Sequence, residues 1–216
     1  MQISKLFGGS DPDLAAFPDP ARDVSGAGGA QGDAPPASKE QTAILAGGCF
    51  WCTEAVFLPL EGVHAVESGY IGGAAETANY QAVCSGTTGH AEAIRITFDP
   101  SVVTFGQLLK VFFSVAHDPT QLNRQGGDTG TQYRSAIFPV DPEQRLVAEA
   151  YIAQLNAAAA LPAPVVTTVE PLGQFFPAEG YHQNFAARNP AQPYVAAVAL
   201  PKVAKLHKYY GDRVKS

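Results

Sequence analysis

Short runs of β-branched and other apolar residues recur from residue 41 onward and alternate with segments of helical character. The runs predict β-strands, and they cover residues 42–46, 63–70, 93–98, 135–140 and 165–169. Apolar spacing and helix-forming residues predict helices over 51–58, 104–115 and 142–157. The resulting order, β-α-β-β-α-β-α-β, predicts an α+β fold, a compact two-layer sandwich in which helices and long loops cover a mixed sheet.

The chain divides by composition near residue 40. Residues 1–40 contain six Gly, five Pro and six acidic residues against three basic ones, without helical or strand periodicity. Such a segment buries little apolar surface, so we expect a flexible or draped N-terminal arm. Residues 41–216 form the predicted catalytic domain, in which the long Gly-rich connections 69–90 and 118–134 are expected to be functional.

Composition and charge narrow the classes of function. A hydrophobic content of 46% is enough for a core, and a net charge of −6 with scattered basic residues argues against nucleic-acid binding. No apolar run approaches the ~18 residues that span a bilayer. The N-terminus has no signal-peptide pattern, so we expect a cytoplasmic protein. Three cysteines in such a chain indicate catalysis, redox exchange or metal binding rather than a disulfide framework.

Two of the three cysteines lie in the stretch GGCFWCTE, residues 47–54. If strand 42–46 turns at the two glycines into a helix, Cys49 lies at the helix N-terminus, where unpaired N–H groups favour a thiolate. Cys49 is therefore a candidate nucleophile, although a buried turn cysteine remains an alternative. Cys52 lies one helical turn further on, about 5 Å away between Cα atoms, so the two thiols can form a disulfide.

The residues around the two thiols also carry alternative interpretations. Zinc needs further ligands at suitable spacing, and Cys84 has no close partner in sequence, so we predict no metal site. Phe50 and Trp51 are either core aromatics or the wall of an apolar box for a small methyl-bearing group.

Five sequence blocks, spanning about residues 41–186, resemble the A type of the peptide methionine sulfoxide reductase family. They are GGCFWCTE (47–54), SGYIGG (68–73), NYQAVCSGTTGHAE (79–92) with FDP (98–100), HDPTQLNRQGGDTGTQYRSAIF (117–138) and PAEGYHQNF (177–185). The resemblance implies a compact α+β fold with a ferredoxin-like core. It also implies reduction of methionine S-sulfoxide, free or in oxidised proteins, without a bound cofactor. Thioredoxin, or dithiothreitol in vitro, is the expected external reductant.

The resemblance also implies roles for matching residues. Cys49 attacks the sulfoxide sulfur and becomes a sulfenic acid, while Glu92 acts on the sulfoxide oxygen as the acid. The hydroxyl groups of Tyr80 and Tyr133 are expected to share this oxygen. Phe50 and Trp51 are expected to hold the methyl group, and Asp128 to orient the substrate. The chemistry agrees, since a thiolate attacks sulfur poorly unless the oxygen's charge is relieved, and partial burial is expected to raise the pKa of Glu92.

For each of these residues an ordinary structural role remains open. Glu92 fits a solvated strand end, Tyr80 and Tyr133 fit packing positions, and Asp128 fits a turn between glycines. His90 and His182 are left without a functional role. Glu54 is interpreted as a structural acid in the first helical turns.

The sequence departs from the family pattern in its cysteines. Many members have Gly at the position of Cys52 and carry resolving cysteines in a C-terminal tail, and the tail of this chain has none. We expect Cys52 to attack the sulfenic acid of Cys49, giving a disulfide that thioredoxin reduces. Cys84 is interpreted as structural and is the second candidate for this step. Thr129 stands where His is common.

Three other classes of protein remain as alternatives. A thioredoxin-like disulfide oxidoreductase also uses CxxC at a strand-to-helix turn, but it does not need the blocks around Tyr80 and Asp128. A non-catalytic module that binds oxidised methionine peptides, and a zinc-stabilised interaction domain, are the others. We expect a monomer that binds neither nucleic acid nor membrane.

Overall fold

The structure is a computed structural model that describes residues 17–24 and 40–215. The strands are β1 Gln41–Gly47, β2 Val63–Ile71, β3 Ala91–Phe98, β4 Arg124–Gln125, β5 Asp128–Thr129, β6 Ser135–Ile137, β7 Thr168–Val169 and β8 Phe175–Pro177. The α-helices are α1 Phe50–Phe57, α2 Tyr80–Val83, α3 Phe105–Val111, α4 Pro142–Ala157, α5 Phe185–Arg188 and α6 Leu200–Tyr210. Two π-helical segments, Phe112–Ala116 and Val195–Ala199, extend α3 and precede α6.

Six strands form one sheet in the order β7-β6-β1-β3-β2-β8, and β4 pairs with β5 in a separate hairpin. All neighbours in the large sheet are antiparallel except β6 and β7, so the sheet is mixed, as predicted. The central strands β1 and β3 alternate between two buried faces. Ala43 and Leu45 face the main core, whereas Ile44 and Ala46 face a smaller cluster with Phe138.

The turn between β1 and α1 explains the two glycines of the cysteine motif. A Cβ on Gly47 would lie 2.8 Å from the Phe112 ring, so a larger residue would displace it. Gly48 has φ +84°, and a Cβ there would lie 2.6 Å from the Gln125 side chain. Only glycines therefore allow the chain to leave the sheet and enter α1 at this point, as the sequence predicted.

Helices α3 and α4 begin at side-chain caps that the sequence contains. Thr104 caps α3 in a capping box with Gln107. Asp141 accepts a hydrogen bond from the Gln144 N–H, and Pro142 follows in the first turn of α4. The prediction of a helix over 142–157 is confirmed.

Residues 17–24 pack against α3 and α4. Phe17 and Val24 are buried, and the Tyr151 hydroxyl donates to the Pro18 carbonyl at 2.7 Å. The Asp23 carboxylate accepts the Gly106 N–H at 2.7 Å and also bonds the Thr104 hydroxyl. The rest of the predicted arm, residues 1–16 and 25–39, lies outside the described residues.

Two of the predicted strands are shorter in the structure. The strand predicted over 135–140 ends at Ile137, because Pro139 has no N–H for the ladder. The strand predicted over 165–169 covers only Thr168–Val169, since the Val166 N–H bonds the Pro119 carbonyl instead. The structure also adds elements that were not predicted, namely α2, α5, α6, β4, β5 and β8. None of the described helices is long and apolar enough to cross a bilayer.

Candidate functional site

Cys49 lies at the junction of β1 and α1, where it is the N-cap residue of the helix. Its side chain is buried, with 9% of its surface exposed. Burial, the hydrogen bond with Cys52 and the nearby Glu92 charge raise the pKa of the Cys49 thiol well above its ordinary value. The position at the helix start is as predicted, but the raised pKa favours the thiol of Cys49 over the expected thiolate, chiefly because the side chain is buried.

Cys52 lies one turn along α1, and its N–H donates to the Cys49 carbonyl at 3.1 Å. The hydrogen bond from Cys49 lowers the pKa of the Cys52 thiol to about 7, although burial opposes this effect. The sulfur also contacts the Tyr194 hydroxyl at 3.8 Å. The pair is therefore a buried dithiol in which the second cysteine is the more acidic.

Glu92 lies on β3 and is buried, with 2% of its surface exposed. Its carboxyl group accepts the N–H of Phe50, the first residue of α1, at 3.0 Å. Burial raises the pKa of Glu92 to about 8, although the hydrogen bond from Phe50 acts in the opposite direction. The predicted increase in pKa is confirmed, and it favours the protonated form of the Glu92 carboxyl group near Cys49.

Tyr80 and Tyr133 are half-buried, and both phenols interact electrostatically with this carboxyl group. Tyr80 begins α2, and its N–H donates to Glu179 at 2.9 Å. Burial is the main cause that raises the pKa of both phenols. A hydrogen bond with Cys84 adds to it at Tyr80, and the charges of Glu92 and Cys49 add smaller contributions at both. Both hydroxyl groups therefore stay protonated and remain hydrogen-bond donors near the Cys49 thiol.

Phe50 and Trp51 lie beside the dithiol in different environments. Phe50 is fully buried, whereas Trp51 is half-buried and stacks on Phe185 with ring centroids 3.9 Å apart. The Trp51 indole N–H donates to His182 Nδ1 at 3.0 Å, which fixes the orientation of the ring. Phe185 and His182 were not assigned to the site from the sequence, and both lie in the PAEGYHQNF block.

Asp128 lies on the two-residue strand β5, half-buried, and accepts a hydrogen bond from the Tyr194 hydroxyl. Tyr194 also contacts Cys52, so it connects Asp128 to the dithiol. Tyr194 was missed by the sequence analysis, because nothing in its local pattern indicates a partner 142 residues away.

The remaining candidates have structural surroundings or lie at the edge of the site. Glu54 is buried and accepts the Asn184 N–H at 2.9 Å, and burial raises its pKa to about 7. His90 lies between the Gly73 N–H and the Ala74 carbonyl, at 3.2 and 3.0 Å. Cys84 is exposed rather than packed in the core, so the structural role expected for it is not one of core packing. No cluster of metal ligands occurs among residues 17–24 and 40–215.

The site thus combines two thiols, a buried carboxyl group with a raised pKa, three phenols and several aromatic rings. Such a set can attack an electrophilic atom with sulfur while donating protons to an oxygen on it. A sequence model of the family described as peptide methionine sulfoxide reductase matches residues 41–214. The chain belongs to this family.

Relatives of the peptide methionine sulfoxide reductase family match most of the chain. The peptide methionine sulfoxide reductase MsrA of Deinococcus radiodurans is 55% identical over 185 residues, which are 86% of this chain and 89% of that protein. MsrA 2 of a Synechocystis species is 53% identical over 176 residues, 82% of each chain.

Solved structures of the family have the same fold. Reduced Mxr1 of Saccharomyces cerevisiae aligns with a TM-score of 0.65 at 32% identity, covering 72% of this chain and 89% of that one. Methionine sulfoxide reductase A of Corynebacterium diphtheriae gives 0.62 at 36% identity, covering 71% and 76%.

These findings confirm the predicted family, the α+β fold and the activity. The protein is a reductase of peptide methionine sulfoxide that works by thiol chemistry. It is neither a thioredoxin-like disulfide oxidoreductase nor a non-catalytic module, and the roles of individual residues in it are taken up next.

Proposed function

We propose that Cys49 is the nucleophile that attacks the sulfoxide sulfur. The reaction converts the Cys49 thiol and a methionine S-sulfoxide into a Cys49 sulfenic acid and methionine, so the oxygen moves from one sulfur to the other. The observation that carries this proposal is the buried Glu92 carboxyl group at the start of α1. It accepts the Phe50 N–H at 3.0 Å, and its charge acts on the nearby Cys49 thiol.

Glu92 is the proposed general acid. Negative charge develops on the sulfoxide oxygen as the sulfur is attacked, and a proton donor there lowers the barrier. Burial raises the pKa of Glu92 to about 8, which keeps its proton available at neutral pH. As this proton passes to the oxygen, the carboxylate can accept the proton of the Cys49 thiol, so the two transfers balance.

Tyr80 and Tyr133 are proposed to donate hydrogen bonds to the same oxygen. Both phenols interact electrostatically with Glu92 and with Cys49, and burial raises the pKa of each. Fixed donors of this kind stabilise a developing oxyanion without reorganisation during the reaction.

Phe50 and Trp51 are proposed to hold the substrate's methyl group, and Asp128 to orient the rest of the substrate. The stack of Trp51 on Phe185 and its bond to His182 support a rigid aromatic wall. Asp128 is half-buried at the rim, where a carboxylate can accept a hydrogen bond from a substrate amide.

Cys52 is the proposed resolving thiol. Its sulfur attacks the sulfur of the Cys49 sulfenic acid, the S–O bond breaks, and water leaves with the proton of Cys52. The hydrogen bond between the two thiols and the pKa of about 7 at Cys52 support this step. Thioredoxin is the proposed reductant of the resulting disulfide, and dithiothreitol replaces it in vitro.

The remaining proposals concern the setting of the enzyme. We propose that it acts in the cytoplasm as a monomer, on oxidised proteins and free methionine sulfoxide, without a bound cofactor. The net charge of −6 and the scattered basic residues support the absence of nucleic-acid binding.

The test is turnover of a methionine S-sulfoxide peptide by the wild type, Cys49→Ser and Cys52→Ser, with dithiothreitol and then with thioredoxin. Cys49→Ser is expected to lose activity with both reductants. Cys52→Ser is expected to retain methionine formation with dithiothreitol and to lose turnover with thioredoxin. Activity without Cys49 would overturn the nucleophile, and full thioredoxin-coupled turnover in Cys52→Ser would overturn the resolving role.

A further inference from the structure

The hydroxyl group of Tyr194 joins three parts of the site that are distant in sequence. It contacts the sulfur of Cys52 on α1 at 3.8 Å and hydrogen-bonds the carboxylate of Asp128 on β5. Tyr194 itself immediately precedes the π-helical segment Val195–Ala199. One phenol therefore touches both the second thiol and the carboxylate at the rim of the site.

The ring of Tyr194 is held firmly enough to fix the hydroxyl group. It meets Trp51 edge to face, with centroids 6.1 Å apart and planes at 75°. The neighbouring Val195 and Ala199 are fully buried in the same cluster as the two cysteines. A phenol has only two side-chain rotations, so these contacts leave the hydroxyl group little freedom.

The direction of the hydrogen bonds decides what the hydroxyl group does to Cys52. A carboxylate only accepts, so the single proton of the Tyr194 hydroxyl points at Asp128. The oxygen lone pairs are then left for the thiol, and Cys52 donates to Tyr194. This arrangement turns the S–H bond of Cys52 away from Cys49 and leaves a sulfur lone pair for attack.

Lys202, on α6, adds to the same environment. Its ammonium group donates to the Ala116 carbonyl at 2.7 Å, and its charge helps to lower the pKa of Cys52. The C-terminal segment thus supplies a hydroxyl group and a positive charge to Cys52, although it contains no cysteine.

We propose that Tyr194 is a positioning residue for the resolving step, in which its hydroxyl group, anchored on Asp128, holds the Cys52 sulfur in line to attack oxidised Cys49. The inference rests on the proposed resolving role of Cys52. In the step, the S–S bond forms, the S–O bond of the sulfenic acid breaks, and the oxygen leaves as water with the proton of Cys52.

The experiment separates the two half-reactions in Tyr194→Phe, which lacks only the hydroxyl group. Reduced enzyme is mixed with one equivalent of a methionine S-sulfoxide peptide without reductant and quenched with acid at intervals. Methionine is measured by chromatography, and the Cys49–Cys52 disulfide by alkylation and peptide mass mapping. Tyr209→Phe is the matched control, because it makes the same change at a partly exposed position on α6.

Tyr194→Phe is expected to slow disulfide formation at least about tenfold more than it slows methionine formation, as for loss of one hydrogen bond to a reacting group. Tyr209→Phe is expected to match the wild type in both steps. Equal rates of disulfide formation in Tyr194→Phe and wild type would overturn the inference while leaving Cys52 as the resolving thiol. An equal loss in both steps would also overturn it, because Tyr194 would then act on the first step. If wild type forms no Cys49–Cys52 disulfide, the proposed function of Cys52 fails instead.

Discussion

At the scale of single residues, burial decides the acidity of the groups in the site. Glu92 is pushed towards its protonated form and Cys49 towards its thiol, because the charged state of either group is poorly solvated there. The free enzyme therefore stores both protons next to each other. Under the proposed mechanism the substrate's oxygen takes one of them at the moment of attack.

Replacing Glu92 with Gln tests the proposed acid. Glutamine can still accept the Phe50 N–H but has no proton to give, so we expect methionine formation to slow about 10²–10⁴-fold. Because the pKa of Glu92 is raised to about 8, the ratio of wild-type to Glu92→Gln rates is expected to fall as the pH rises through that value. Single-turnover rates of both proteins, measured at several pH values around the pKa of Glu92, give this ratio. Ionisation of other groups affects both proteins alike and therefore cancels in the ratio.

Glu67→Gln is the control, because Glu67 pairs with Arg95 at the surface of the neighbouring strand. It is expected to keep wild-type rates at every pH. A pH-independent ratio between wild type and Glu92→Gln would show that Glu92 does not act as the acid.

The same burial predicts how stability depends on pH. The pKa is raised from an ordinary 4.5 to about 8 at Glu92 and to about 7 at Glu54. Below about pH 4.5 both the folded and the unfolded states are protonated at these groups. Above it the folded state binds protons that the unfolded state releases, so the free energy of unfolding falls as the pH rises towards the folded pKa.

Urea denaturation of wild type and Glu92→Gln at about pH 5 and about pH 9 measures this effect. We expect wild type to lose about 2 kcal/mol or more relative to the variant between these conditions. Glu54→Gln is expected to show a smaller change in the same direction, since Glu54 is less deeply desolvated. Parallel stability curves for wild type and both variants would contradict the raised pKa values.

At the scale of elements, the site is assembled where the starts of short helices meet strand ends. α1 brings Cys49 and Cys52, β3 brings Glu92, and α2 begins at Tyr80. At the start of α3, Asp23 supplies a carboxylate in addition to the Thr104 capping box. These bonds tie residues 17–24 to α3.

We expect Asp23→Ala to lower the free energy of unfolding by about 1–2 kcal/mol, because the Gly106 N–H loses its acceptor. Asp19→Ala is the control, since Asp19 is largely exposed in its ion pair with Lys110, and such pairs contribute little. Denaturant titration measures stability, and turnover is expected to be unchanged in both variants. Equal stability of Asp23→Ala and wild type would show that the segment does not stabilise α3.

At the scale of the whole molecule, the elements formed by local pattern were predictable and those formed by distant contacts were not. The strand, two glycines and helix around Cys49 follow from residues adjacent in sequence. Tyr194 lies 142 residues beyond Cys52 in sequence, and no local sequence pattern predicts the contact between them. The acidity of Cys49 was also predicted wrongly, because it depends on burial by the assembled fold rather than on its place at a helix start.

The role of the C-terminal segment was also missed, because it depends on contacts between residues that are distant in sequence. Residues 195–210 form helical segments that pack against α1. This part of the chain was interpreted from the sequence as a tail, and no helix was predicted in it. The tail's lack of cysteines was read correctly from the sequence, but its contribution of Tyr194 and Lys202 to the site emerges only from the packing.

The most direct test of the account is the fate of the three thiols after one turnover without reductant. Reduced wild-type protein is mixed with one equivalent of a methionine S-sulfoxide peptide, alkylated under acid quench and mapped by mass spectrometry. The account predicts one methionine released per chain, a disulfide between Cys49 and Cys52, and Cys84 still free. A disulfide that includes Cys84, or a sulfenic acid at Cys49 that persists beside a free Cys52, would contradict it.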